Sequence, residues 1–223
     1  GLSTFANGVN SAGTVVGDEL TATDTTDFSP FLLKIRQAKP DLVATNLGGN
    51  QVTNFVKQYA EFGLPYPIAG FNLNTADAWA AGEGNLSGIW PTVWHHELQT
   101  PGSKAFVAEF MKRYGKPPEN HAWIEYVSLK MMAQAMNATK STDTDKLIAY
   151  FEKETEFDIL KARKAHFRSW DHQLMQEAYP FTVKAKGQAK DKWDMLVLGG
   201  AIPAANESLD SIALTKEQNP CSM

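Results

Sequence analysis

The chain has 223 residues, 43% hydrophobic and 21% charged, with 21 Lys and Arg against 25 Asp and Glu and a formal net charge of −4. That is an ordinary globular composition, enough for one large domain or two small ones. No basic stripe crosses it, so no nucleic-acid partner is expected, and no apolar run approaches the ~20 residues of a membrane-spanning helix, so no direct membrane insertion is expected either.

In chain order, Leu2, Phe5, Ala6 and Val9 have helical spacing, with Gly13 closing that helix, and residues 14–19 read as a strand. Residues 25–71 are the most patterned stretch and read helix, strand, helix, strand. Thr26 or Asp27 caps the first helix, Pro30 is tolerated in its first turn, and Pro40 ends it. Phe28, Phe31, Leu32 and Ile35 share one face. Residues 41–45 form a short apolar run that suits a strand covered on both faces. The turn at 46–50 leads into a second helix with Val52, Phe55, Val56, Tyr59 and Phe62 on one side and Gly63 at the position of a left-handed C-cap. Residues 67–71 are the next strand. This is a βαβ unit, and parallel sheets bind ligands at the carboxyl ends of their strands; two such ends fall at 46–49 and 71–74.

Residues 75–81 read as a short helix. The glycine-rich turn 82–88 has the wrong spacing for a dinucleotide loop and opens no helix, so phosphate binding is not expected there. Residues 88–94 are a strand. Residues 104–114 are amphipathic, with Phe106, Val107, Phe110, Met111 and Tyr114 on one face, and Gly115, Pro117 and Pro118 stop them. Residues 121–139 form a long helix that is apolar almost all round (Trp123, Ile124, Val127, Met131, Met132, Met136), which marks a buried helix with methionine as core filler. Residues 141–145 cap another helix ending near Glu156, with Leu147, Ile148 and Phe151 inward. Residues 161–168 alternate toward a strand, 170–173 form a polar turn, 177–184 and 193–198 are strands, 184–192 are a solvated lysine-rich loop, and the remainder after Gly199 is irregular. Cys221 is the only cysteine and cannot form an internal disulfide; it is either a free thiol or paired outside this sequence.

The series TTDFSPFLLKIRQAKPDLV, GG, FVKQYAEFGL and PIAGF, followed by FVAEFMKRYGKPPENHAWIEY and FRSWDHQLMQEAYPFTVKAK, resembles the branched-chain amino-acid type of periplasmic substrate-binding protein, the two-lobed receptors that feed ABC importers. The resemblance covers nearly the whole chain, and its weight comes from the order of segments. It implies an α/β fold of periplasmic binding protein type I: two Rossmann-like three-layer lobes with parallel sheets. Lobe two would comprise residues 1–93 with 176–223. Residues 94–175 would be the C-terminal part of lobe one, with a hinge near 95–101. Relatives carry a further βα half of lobe one ahead of anything matching Gly1, so the chain reads as N-terminally truncated. Its lobe-one elements would then expose apolar surface unless another chain covers them, and the missing lobe-one segment would be needed for function.

The implied function is a periplasmic, or extracellular and membrane-tethered, receptor. It would capture a small organic ligand between its lobes, close about a hinge, and deliver the ligand to ABC permease membrane subunits without cofactor or covalent chemistry. Two other classes fit the same lobes. One is a ligand-sensing domain of a signalling or regulatory receptor, which a fused transmembrane or coiled-coil segment would favour. The other is a hydrolase, which turnover or stoichiometric zinc would favour.

Residues with catalytic or metal chemistry do not assemble into a site. His95, His96 and Glu97 lack the second histidine of HExxH, whose position holds Thr100, and adjacent histidines on an extended chain point to opposite sides, so no metal is expected. No G-x-S-x-G elbow occurs. The resemblance places Asp171 and His172 in an outer turn, away from any cleft. For ligand binding, it implies that the turn holding Leu47, Gly48 and Gly49 contacts the ligand and that Asn72 stands where amino-acid binders carry the acid that holds the ammonium group. Losing that carboxylate removes the charge-assisted partner of an amine, and losing a turn tyrosine near Gly48 enlarges the pocket. Both point to an aromatic or aliphatic carboxylic acid over leucine. His121 falls where relatives place an aromatic pocket residue and is either a partner for a ligand carboxylate or a helix-start histidine satisfied by backbone. Trp94 either stacks on a ligand ring or packs in the core. Asn46 and Asn74 lie near the same strand ends.

Overall fold

The computed structural model describes residues 13–71 and 73–219. The chain divides into two compact units: Gly1–Pro91 with Phe181–Val197, and Thr92–Pro180 with Leu198–Met223. Expectations for the helix at residues 1–10, for Asn72 and for Cys221 lie outside the described residues. Among the described residues, no helix is long and apolar enough to cross a membrane.

The first unit is built on helix α1 (Ser29–Ala38), strand β1 (Val43–Thr45), α2 (Asn50–Glu61), β2 (Ile68–Gly70) and α3 (Thr75–Ala81). Asp27 accepts a hydrogen bond from the Ser29 backbone N–H (2.9 Å), and Lys39 ends α1 in the left-handed conformation before Pro40. Phe28 and Leu32 are fully buried, and the Phe28 ring meets Phe55 of α2 edge-on at 5.5 Å. Gln58 of α2 accepts from the Phe28 N–H and donates to the Thr26 carbonyl, which fixes the entry to α1. Val52, Phe55, Val56 and Tyr59 form the buried stripe of α2, and Gly63 follows it with φ +62°.

Strands β3 (Ile89–Thr92), β6 (Tyr179–Val183) and β7 (Leu196–Leu198) complete a five-stranded sheet of order β1-β2-β3-β6-β7. The β1–β2 and β2–β3 pairs are parallel, with Thr45 opposite Gly70 and Ala69 opposite Ile89. The chain passes between the units within β3, β6 and β7. Trp90 lies over Gly70, where a Cβ would sit 1.7 Å from its ring. Gly88 enters β3 at φ +94° with a Cβ position 2.0 Å from the Ile68 carbonyl oxygen, so only glycine allows this approach of strands.

The strand at residues 41–45 was expected to be covered on both faces. One face of its sheet is buried through Val43, Thr45, Ile68 and Trp90, while on the other Ala44 and Ala69 are half-buried and Ile89 and Val197 are exposed. Residues 14–19 form no strand. They run without ladder partners, with Val15 and Val16 exposed, and that region is held by side chains: Lys34 pairs with Glu19 at 2.8 Å and Gln51 donates to the Ala22 carbonyl.

The second unit holds α4 (Pro101–Tyr114), α5 (Asn120–Thr139), α6 (Thr144–Phe151) and the antiparallel pair β4 (His166–Phe167) and β5 (Leu174–Met175). Thr100 caps α4 one turn ahead of the expected start, with Pro101 in the first turn. Its core centres on Trp94, Trp123, Val127, Met131, Phe157 and Tyr179. Trp94 donates to Ser103 Oγ (2.9 Å), Ser103 to the Leu160 carbonyl (2.8 Å) and Trp123 to the Ile159 carbonyl (2.9 Å), so the buried indoles have partners. The α5 helix was expected to be buried all round. It is buried along Trp123, Val127, Met131 and Ala135 and open on the opposite side, because nothing among the described residues covers Tyr126, Leu129 and Met132.

Asp143 caps α6 by accepting from the Lys146 N–H at 3.1 Å. Asp143→Ala is expected to lower stability by about 1 kcal/mol, measurable as a drop in urea midpoint at unchanged denaturant slope.

From Leu198 onward the tail is grouped with the second unit. The ties that hold it there include the Ala178–Ile202 bridge, Arg163 donating to the Ala204 carbonyl, Arg168 donating to the Leu214 carbonyl and Asn219 donating to Asp171.

Candidate functional site

The candidate site residues of the first unit lie on the pair of turns that follow β1 and β2. These strands are hydrogen-bonded neighbours in register, and the Phe71 N–H donates to the Thr45 carbonyl at 2.9 Å, so residues 46–49 and the start of 71–74 lie side by side. Leu47 is half-buried, while Asn46, Gly48 and Gly49 are exposed. Gly49 has φ +54° and ψ −136° at the N-cap position of α2, and a Cβ there would meet nothing within 4 Å. The carbonyls of Gly48 and Gly49 accept from Gln51 and Val52, and no side chain caps the helix. The turn therefore presents bare backbone and the positive end of a helix dipole, which favours an acceptor-rich group such as a carboxylate. Beneath it the Thr45 hydroxyl is buried with no hydrogen-bond partner. Thr45 was not singled out from the sequence, because its alternation with Val43 reads as core. Asn74 donates to Asp77 at 3.1 Å, and Phe71 is exposed.

In the second unit, His121 stands in the first turn of α5 with its side chain exposed. Glu119 accepts from its backbone N–H (2.7 Å) and from that of Ala122 (2.9 Å), so the helix start is capped by Glu119 and the imidazole stays at the surface. Trp94 is a correction to the ligand-stacking expectation. It is fully buried, stacked parallel to Trp123 at 6.1 Å and edge-on to Phe106 at 5.7 Å, so it packs in the core.

The rings of His95 and His96 do not diverge as an extended chain would require. They lie 4.3 Å apart because the backbone turns there, with the Leu98 N–H donating to the His95 carbonyl. Among the described residues, no group of three or more His, Cys, Asp or Glu is placed to hold a metal. The turn at 170–173, expected to be solvated, is instead closed by a buried Arg168–Asp171 pair; His172 at its edge lies 2.9 Å from Glu152. The lysine-rich loop is likewise anchored: Lys184 pairs with Asp194, Lys192 lies over the Trp193 ring, and Glu83 accepts from Gly187 and Ala189. A cavity of about 340 Å³ lies there, lined by Trp79, Glu83, Asp191 and Met195 among others, and both of its carboxylates already hold backbone N–H groups.

The sequence also missed a buried cluster in the second unit. Lys161 donates to Gln176 Oε1 (2.8 Å) and the Glu177 carbonyl (2.6 Å), beneath the Trp123 and Tyr179 rings. Tyr179 donates to the Glu177 carboxylate at 2.5 Å, and burial together with that carboxylate pushes its hydroxyl pKa well up.

Known proteins share this fold. The chain is similar to Leu/Ile/Val-binding protein homolog 8 of Brucella abortus (strain 2308), 28% identical over 138 residues, which is 56% of this chain and 34% of that protein. Its fold superposes on a periplasmic binding protein from Burkholderia mallei with TM-score 0.84 and 24% identity, covering 99% of this chain and 57% of that one. It also superposes on a solute-binding protein of an ABC transporter from Rhodopseudomonas palustris BisB5, solved with 3,4-dihydroxybenzoic acid, with TM-score 0.76 and 22% identity over 90% of this chain and 55% of that one. The chain thus spans about a third of that curated relative and just over half of these solved ones. Two α/β units, open turns at parallel strand ends, and a match of residues 3–188 to the family described as periplasmic binding protein agree, and the chain belongs to that family.

Proposed function

We propose that the chain is part of an extracytoplasmic solute receptor, located in the periplasm or tethered outside the cell. It captures a small organic ligand and hands it to the membrane subunits of an ABC importer. The ligand is an amino acid or, on the chemistry of the turns, an aromatic or aliphatic carboxylic acid. Leu47, Gly48, Gly49 and Asn72 are the ligand contacts proposed for the first unit, and His121 is a further candidate contact. The observation that carries this reading is the open turn at Gly48 and Gly49, set beside the β2 turn at parallel strand ends. It presents the positive end of the α2 dipole with no side-chain cap, where a carboxylate is favoured, and Asn72 offers no charge to an ammonium group. Support also comes from the aromatic acid bound by the Rhodopseudomonas palustris BisB5 protein. The permease and the remaining part of lobe one are the implied partners.

A thermal-shift screen of the complete receptor tests it. Aromatic or aliphatic acids are expected to raise the midpoint while leucine and valine leave it unchanged, since ligand at about 100 times Kd stabilises by roughly 2.7 kcal/mol. Asn72→Asp is expected to shift preference toward amines. A response to branched amino acids alone would overturn the acid preference. Silence from every class would overturn the receptor reading.

A further inference from the structure

We propose that the cavity between the end of α3 and the loop leading into β7 is a binding site for a small organic cation, a primary ammonium on an apolar body. The cavity lies wholly in the first unit, with Trp79 and Glu83 on one side and Ala189, Asp191, Lys192 and Met195 on the other. Its place in the fold separates it from the turns after β1 and β2. Helix α3 starts at the β2 turn and carries the chain back, ending at Gly82 ahead of β3. The Val183 N–H donates to the Gly88 carbonyl and the Lys184 N–H to the Met195 carbonyl, so the loop after β6 stands where β3 begins. The cavity is therefore at the amino end of the parallel strands, opposite the carboxyl ends that carry the turns.

The cavity holds negative charge that is already positioned. Glu83 sits between Gly82 (φ +82°) and Gly84 (φ +81°), and its Oε1 accepts from the N–H groups of Gly187 (2.6 Å) and Ala189 (3.4 Å). Asp191 Oδ1 accepts from the N–H groups of Trp193 (2.8 Å) and Asp194 (3.0 Å). Each carboxylate is thus fixed through one oxygen, and Glu83 Oε2 and Asp191 Oδ2 accept no hydrogen bond among the described residues. Lys184 is paired with Asp194, and Lys192 is held over the Trp193 ring at 4.5 Å. Two carboxylates against the one ammonium of the lining leave a net negative charge. A monocation matches it, and a primary ammonium brings three donors for charge-assisted bonds to the free oxygens.

The rest of the lining suits an apolar body. Trp79 gives its N–H to the Trp193 carbonyl (3.1 Å) and packs edge-on to that ring at 4.8 Å, so ring surface is what it offers a guest, beside Ala189 and the buried Met195. The volume of about 340 Å³ falls within the roughly 300–1,000 Å³ of small-molecule pockets. A hard metal ion fits poorly, since calcium takes roughly six to eight oxygens, and no metal-holding group of three or more His, Cys, Asp or Glu occurs among the described residues.

Isothermal titration of the protein with benzylamine at neutral pH tests the site. Benzylamine is expected to bind, and benzyl alcohol, the same ring without the charge, is expected not to. Glu83→Gln and Asp191→Asn each keep an oxygen for the loop N–H groups and remove the charge. Each is expected to weaken benzylamine on the order of 10-fold or more, with the urea midpoint close to wild type. The two substitutions lie on different loops, so a fold defect in one leaves the other to decide. An excess of benzoate is expected to leave the benzylamine affinity unchanged. No binding up to about 10 mM benzylamine would overturn the proposal, as would an affinity that neither substitution alters. Competition by benzoate would put the amine in the acid site at the turns, and displacement by calcium chloride would make the cavity a metal site; either overturns it equally. The site stands on the first unit alone, and its failure leaves the receptor reading untouched.

Discussion

Arg168→Ala is expected to destabilise the protein by about 3–5 kcal/mol, the loss seen when one partner of a buried ion pair is removed. The guanidinium donates to both Asp171 carboxylate oxygens, to Gln173 Oε1 (3.0 Å) and to the Leu214 carbonyl (2.9 Å), and stacks on Trp170 at 4.2 Å. Both charged side chains are more than nine-tenths buried. Truncating the arginine leaves the Asp171 carboxylate in place with only the Gln173 N–H and the Asn219 amide, and frees the tail at Leu214. Arg168→Lys keeps the charge but cannot make the fork, so most of the loss is expected to remain.

The pH dependence identifies the cause. Burial alone would raise the Asp171 carboxyl pKa, but its bonds to Arg168, Gln173 and Asn219 outweigh burial and hold it below the usual carboxylate range. A depressed carboxyl contributes stability above its unfolded pKa of about 4 and loses it as pH falls through the folded value. The deficit of Arg168→Ala should therefore be full at pH 7 and shrink below about pH 4. Urea unfolding at both pH values measures it, and limited proteolysis of the tail reports the lost Leu214 contact. A loss under 1 kcal/mol at pH 7 would show that water reaches the pair and screens it.

Elements whose signals are local were legible in the sequence. The helix at Thr75–Ala81 falls where its composition placed it, and the stripe Val52, Phe55, Val56, Tyr59 is the buried stripe of α2. The turns that follow β1 and β2 lie at neighbouring parallel strand ends, where the βαβ order alone puts them. What failed depended on partners distant in sequence. Residues 14–19 look like a strand, but a strand exists only by pairing, and no ladder reaches them. The α5 pattern is apolar almost all round, but among the described residues only the side of Trp123, Val127, Met131 and Ala135 is covered. Asp171 reads as turn polarity because its enclosure comes from Leu214 and Asn219, more than 40 residues on. Trp94 could serve ligand or core equally by type; only the parallel Trp123 ring and the Ser103 hydroxyl decide between them. Lys161 carried no signal at all, since a lysine in an alternating run reads as solvent-facing and its acceptors lie at Gln176 and Glu177.

Lys161→Met is expected to make the protein more stable than wild type near pH 6 and less stable near pH 10. Burial draws the Lys161 pKa down from 10.5 to about 7 despite the attraction of Glu177. Between those values the unfolded chain holds a proton that the folded one does not, so wild-type stability rises with pH across that window, by roughly 5 kcal/mol in total. Below pH 7 the ammonium is charged in both states and the full desolvation penalty persists. Methionine fills a similar volume without that penalty, but it leaves the Gln176 and Glu177 oxygens without their donor, a loss of about 1–3 kcal/mol. At low pH the relieved penalty exceeds that loss. At high pH the neutral amine still donates both bonds at no charge penalty, and the loss stands alone. Other titrations are common to both proteins and cancel in the difference, so urea unfolding at pH 6, 8 and 10 isolates this residue. A difference that stays constant with pH would mean that Lys161 remains charged throughout, paired with Glu177. In that case the cluster would be an ion pair clamping the start of β6, where the chain leaves one unit for the other, and the Met variant should be the less stable protein at every pH.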